Sequence, residues 1–215
     1  MKELKVIRAV SLCVSLTMGV ITQASLFKKC DLRVKENLKL NSFDNCSQSK
    51  LDAFYKEIDA GSKIPDGIFN GNVQISSRES KIKIIQKIRD IFPDYSQDIE
   101  ESILERIWAG KIFYRQNSNS AILFNRIRTL QQMRFMFPAH VYFGRSLFDS
   151  NKLSVIIDYK YNQDIEGYNP NSDWIVNESA LAIRDEVRRV KEWLYLGRAY
   201  LKSKFLLNFV LEEAP

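Results

Sequence analysis

Arg184, Asp185, Glu186, Arg188 and Arg189 place five charges within six residues of a segment that otherwise alternates like a β-strand. At a side-chain period of two, Arg184, Glu186 and Arg188 share one face, and Ile183, Asp185 and Val187 share the other. An inward-facing Arg-Glu-Arg row is a buried charged network, which serves as a registry device or as an anchor for a polar headgroup. An outward-facing row is a solvated ion-pair ladder of little energetic weight. Asp185 lies on an otherwise apolar face and calls for a cationic partner, for which Lys111, Arg126 and Arg198 are the candidates. Asp158, in Val155–Tyr159, shares a face with Ile156. With Glu186 or Asp185 it forms a carboxylate pair of the kind used in acid–base catalysis, which needs a polar cleft and two separated pKa values. The alternative is a strand-end aspartate held by an arginine.

Other chemistry finds no support. There is no Gly-x-Ser-x-Gly elbow, no phosphate-cradling glycine loop and no dinucleotide fingerprint. The one histidine, His140, has no Ser or Cys partner in a recognisable pattern. Cys30 and Cys46 with a single histidine lack zinc-ligand spacing, so neither a metal nor a cofactor is expected.

The elements that must position these residues begin after a leader. Lys2, Lys5 and Arg8 precede an apolar run, Ala9 to Ile21, and Thr22-Gln23-Ala24 presents small residues at −3 and −1 of a cleavage site. The run is shorter than the ~20 residues of a membrane span. Residues 1–24 are therefore read as a secretory signal, and the protein as exported, periplasmic or secreted, with no transmembrane segment after cleavage. Cleavage lowers the formal net charge of +6 by two. No basic run is dense enough to track phosphates, so nucleic acid is not an expected partner. Cleavage also leaves two cysteines, which in an oxidising compartment read as a Cys30–Cys46 disulfide pinning an N-terminal arm, 25–48.

Residues 49–215 read as a single helix-capped, barrel-like domain. A helix opens at Ser49, carries Leu51, Phe54, Tyr55 and Ile58 at helical spacing, and ends at Gly61. Ile64-Pro65-Asp66-Gly67 is a turn, and Ile68–Ile75 a first strand in which Gly71 marks a bulge or a close approach. Two further helices follow, Ser80–Phe92 and one opening at Ser96. From Trp108 the period changes to two. Trp108–Tyr114 and Ala121–Ile127 make a hairpin, Phe135–Phe143 holds Pro138, Leu153–Tyr161 is rich in β-branched residues, and a long polar loop, 162–177, leads to three strands within Leu181–Leu211. The expected fold is mostly β (α+β): one antiparallel, strongly curled sheet or calycin-like barrel of seven to eight strands, with two or three N-terminal helices capping one end.

The aromatic content, 13 Phe, 9 Tyr and 3 Trp, suits two interiors. One is an apolar pocket for a lipid or fatty-acid-like molecule. The other is a core filled by side chains.

Trp108-Ala109-Gly110-Lys111-Ile112-Phe113, Asn125-Arg126, Val141–Ser146, Ile157-Asp158-Tyr159, Ile183–Arg188, Leu194–Gly197 and Leu207-Asn208-Phe209 follow one another in an order that resembles a group of uncharacterised bacterial proteins. The group is similar in outline to the GXWXG domains of unknown function. The resemblance spans roughly residues 50 to 212 and implies a compact, barrel-like sheet but no reaction. With it, the residues expected near a ligand are Trp108, Lys111, Asn125, Arg126, Asp158, Tyr159, Arg184, Asp185, Glu186 and Arg188. The reading that follows is an exported, non-enzymatic protein binding a hydrophobic or amphipathic small molecule in a barrel. Two others stay beside it: a secreted interaction or immunity-type module with a filled core, and an acid–base enzyme using Asp158 and Glu186.

Overall fold

The computed structural model describes residues 30–74, 108–129, 132–179 and 181–215. The proposed leader and the two helices expected between residues 80 and 107 lie outside the described residues. Helix α1, Gln48–Glu57, is followed by strands β1 Gly67–Gln74, β2 Trp108–Asn117, β3 Ser120–Arg128, β4 Met133–Arg145, β5 Leu153–Asp158, β6 Ile183–Lys191, β7 Leu194–Leu201 and β8 Lys204–Glu213. Every neighbouring pair is antiparallel, and β1 pairs with β8, so the sheet closes into an eight-stranded up-and-down barrel. Closure removes the sheet edges that a meander would otherwise leave unpaired.

The period-two pattern sorts the wall into an inner and an outer face. Phe69, Phe113, Leu123, Val141, Val155, Ile157, Val187, Tyr195, Phe209 and Leu211, drawn from all eight strands, form one buried cluster inside the barrel. Ala60 and Ile64, from the segment between α1 and β1, join it beside the β2–β3 hairpin. The close approach expected at Gly71 is present: a Cβ there would stand 2.4 Å from the Trp108 ring. Pro138 sits where the β3–β4 register shifts, and Phe137 before it takes φ 56°. That bulge reconciles a proline with an interior strand.

Helix α1 differs from expectation in both extent and position. Ser47, rather than Ser49, caps it by accepting from Lys50 N, and Ile58 is already extended, with Asp59 bridging to Arg189. The helix lies against the outside of the wall instead of across a barrel end. Leu51, Phe54 and Tyr55 pack with Phe43 and Cys46 of the N-terminal arm on Leu194, Leu196 and Val210, all outward residues of β7 and β8. Cys30 and Cys46 are disulfide-bonded, which ties the arm down over this second core. Among the described residues, no helix is long and apolar enough to cross a membrane.

Candidate functional site

β6 resolves the question of its charges by splitting them. Asp185 faces into the barrel, while Arg184, Glu186 and Arg188 face out. Because α1, the arm and the β4–β5 turn cover that part of the wall, two of the outward charges are not solvated: Glu186 and Arg188 are both 0% exposed, while Arg184 is half-buried.

Inside, Lys111 of β2, Asn125 of β3, Tyr159 after β5 and Asp185 of β6 meet as a closed polar quartet. The Lys111 ammonium, 2% exposed, donates to Asn125 Oδ1 at 2.8 Å, Tyr159 Oη at 2.8 Å and Asp185 Oδ2 at 2.9 Å. Tyr159 Oη donates to Asp185 Oδ2 at 3.2 Å and accepts from Asn125 Nδ2 at 3.0 Å. Asn125 Nδ2 also donates to Phe137 O at 3.2 Å, and Trp108 Nε1 donates to Asn125 Oδ1 at 3.1 Å. Three rings surround the ammonium at cation–π distance, Trp108 and Tyr159 at 5.5 Å and Phe209 at 5.3 Å.

Burial governs the protonation of this group. Desolvation lowers the Lys111 pKa, and the Asp185 carboxylate, by charge and hydrogen bond, opposes the shift. Desolvation, followed by the Asp185 charge, raises the Tyr159 pKa well above the usual phenol value, so Tyr159 remains a hydrogen-bond donor at neutral pH. The quartet is a closed hydrogen-bond network of Lys111, Asn125, Tyr159 and Asp185. An incoming polar group can bind it only by displacing an existing partner.

The quartet lies towards the barrel end where β3 gives way to β4, β5 to β6 and β7 to β8. Half-buried Phe137, Val176, Ile183, Leu206 and Leu207 pack against the core at that end. Val176 comes from the β5–β6 loop, which holds two short 3-10 turns, Asn162–Asp164 and Asp173–Val176.

Five expected site residues (Trp108, Lys111, Asn125, Tyr159, Asp185) therefore come together, and five stand on the outer side of the wall. Arg126 donates to Phe69 O and Asn70 Oδ1, both at 3.1 Å, across the β1–β2 side. Glu186 accepts from Ser146 Oγ at 2.6 Å, Leu147 N at 2.7 Å and Arg184 at 3.1 and 3.3 Å. It fixes the β4–β5 turn and has no face open to a substrate. Arg188 stacks 4.5 Å from the Tyr55 ring and donates from Nε to Ser154 Oγ at 3.0 Å and from Nη1 to Tyr55 O at 2.9 Å, whereas Nη2 has no hydrogen-bond partner. Asp158 accepts from Tyr142 Oη at 2.8 Å and from Lys160 N at 2.9 Å, and stands opposite Arg184 in the ladder. It lines a surface groove that Glu186 does not reach. The two carboxylates of the acid–base reading thus share no cleft.

Tyr55, Ser146 and Ser154 complete the outer network, and sequence reasoning passed over them. The signal for Tyr55 was its place on the apolar face of α1. The serines gave none beyond lying in strand and turn segments.

No family model matches the chain, and no curated protein matches it. A crystal structure of a protein from Thermomonospora curvata aligns with a TM-score of 0.46 at 14% identity, covering 81% of this chain and 92% of that chain.

Proposed function

We infer that this is an exported, non-enzymatic binding protein whose barrel mouth receives a hydrophobic or amphipathic small molecule, with the Lys111 quartet as the polar floor of the site. The observation that carries this reading is a fully buried lysine–aspartate pair in a barrel otherwise filled with apolar side chains. Such a pair is costly to bury and adds little to stability over an apolar filling, and perturbed, buried ionisable groups concentrate at functional sites. The interior beyond the quartet is lined by apolar side chains that pack on one another. A bound tail would therefore lie across the mouth, against Ile183, Leu207 and Trp108, and would not run the length of the axis. A carbonyl or carboxylate head would take one of the acceptor positions around the ammonium. The group resemblance in the motif order agrees with a barrel but adds no ligand.

Two observations favour the filled-core interaction module instead: all three protons of Lys111 are already satisfied internally, and Trp174 on the β5–β6 loop is 46% exposed. Two measurements separate the readings. Native mass spectrometry of protein purified without detergent should show an adduct released on denaturation. Titration of stripped protein with dodecanoic acid should change tryptophan fluorescence, because Trp108 touches the floor. A bare mass together with unchanged fluorescence would overturn ligand binding and leave the interaction module.

A further inference from the structure

A second site is built on the outside of the barrel, away from the quartet. A groove of about 340 Å³ crosses β3, β4 and β5, with Ser120, His140, Tyr142, Asp158 and Tyr161 around it, over the backbone of the inward-facing Ala121 and Val141. That volume is at the small end of the ~300–1,000 Å³ typical of small-molecule sites. His140 and Asp158 face each other directly in the β4–β5 ladder, so the polar groups stand on strands whose register is fixed by barrel closure.

The chemistry on offer is hydrogen bonding from fixed acceptors beside aromatic rings. Tyr142 Oη donates to Asp158 Oδ2 at 2.8 Å, and His140 Nε2 lies 3.0 Å from Asp164 Oδ1 on the β5–β6 loop. Each pairing fixes a planar group and leaves further lone pairs facing outward. Arg184 stands opposite Asp158 in the ladder but pairs with Glu186 at 3.1 Å, and Lys160 pairs with Glu178 at 2.8 Å, so neither cation takes up Asp158, which stands in the groove as a hydrogen-bond acceptor. The walls are aromatic and open: Tyr142 is 37% exposed and Tyr161 56%. The Lys160 ammonium stands 4.9 Å from the centre of the Tyr161 ring, which places a cation against one face and leaves the other for a ligand. The Tyr142 hydroxyl, held by desolvation and by Asp158, has its pKa raised to about 12 and stays protonated.

We propose that this groove binds a neutral polyhydroxylated ligand, a sugar of monosaccharide size, with a tyrosine ring stacked on its C–H face and Asp158 and His140 bonded to its hydroxyls. Exposed aromatic rings beside fixed carboxylate and imidazole acceptors match a molecule that has one apolar face and a rim of donors. An alkyl chain would leave the polar rim unpaired, and an ammonium would meet Lys160 at the ring.

Saturation-transfer NMR on the whole protein with D-glucose, D-galactose, D-mannose and N-acetyl-D-glucosamine tests this. At least one sugar should receive transfer, and its affinity should fall roughly tenfold or more in Asp158→Asn, where a hydrogen bond to a charged acceptor is lost, and about threefold or more in Tyr161→Ala, where the stacking ring is lost. Melting temperature serves as the fold control, and Tyr161 is exposed enough for its truncation to leave the barrel intact. No transfer to any of these sugars, transfer that survives either substitution, or binding of choline in their place would each overturn the proposal. The outcome is independent of the quartet, because Lys111→Met does not touch the groove.

Discussion

Replacing Lys111 with methionine tests how tightly the quartet is closed. Methionine keeps the length of the aliphatic stem and removes only the charge and its three hydrogen bonds. Asp185, 5% exposed, is then left as a buried carboxylate with Tyr159 as its remaining donor within the quartet. Breaking one side of a buried pair costs about 3–5 kcal/mol. For a chain of this size each kcal/mol moves the melting temperature by about 2–4 °C, so scanning calorimetry should show a drop of roughly 6–20 °C. Lys111→Met/Asp185→Leu should recover much of that loss, since removing both partners leaves no unpaired charge. It should not recover all of it, because Asn125 and Tyr159 each lose a partner. The pH dependence has a definite sign. The folded pKa of Lys111 lies below its unfolded value of ~10.4, so the unfolded chain binds more protons between the two values. Stability therefore rises with pH across that window. The rise should be present in wild type and absent in Lys111→Met. A single-substitution cost under ~1 kcal/mol, or a double variant no better than the single, would mean that water reaches Asp185 and that the quartet is not closed.

Other outcomes follow from the same geometry. Glu186→Gln should destabilise by about 2–4 kcal/mol in chemical denaturation, because a buried acceptor of three donor groups becomes half donor; dodecanoic-acid binding should be unchanged. Gly110→Ala and Gly67→Ala form a matched pair, both at positive φ, 123° and 94°. At Gly67 a Cβ meets nothing within 4 Å, and only backbone strain of about 1–2 kcal/mol is expected. At Gly110 it would stand 2.1 Å from Phe69 O, which should prevent β1–β2 closure and leave insoluble protein. Replacing Cys30 and Cys46 by serine should cost roughly 3 kcal/mol on a loop of this length, with the loss read in denaturant melts of the whole protein.

The barrel was legible in the sequence because alternation over short, turn-bounded runs has few other solutions. The hairpin 108–128, the β-branched β5 and the three closing strands fall close to where their patterns place them. Even the need of Asp185 for a cation was visible, with Lys111 among the candidates. Period two assigns residues to faces, but it does not say which covered surface a face meets. Arg188 and Glu186 illustrate this: outward implied wet, and the outward face is dry because α1 and a disulfide-pinned arm lie on it. That burial depends on contacts such as Arg188 Nη1 to Tyr55 O, 133 residues apart in sequence, for which local pattern carries no signal. The surface groove was missed for the same reason. His140, Tyr142 and Asp158 become neighbours only through the β4–β5 register, and Tyr161 through the turn that leaves β5.

The β1–β8 ladder has a kinetic meaning. Gly71 opposite Leu211 and Val73 opposite Phe209 close the sheet through residues near opposite ends of the folded domain. Contacts so far apart in sequence slow the search for the native state. Until residues 204–213 dock, the meander keeps an open strand at β1 that can recruit other chains. A chaperone that shields β1 until the barrel closes should therefore raise the yield of folded protein.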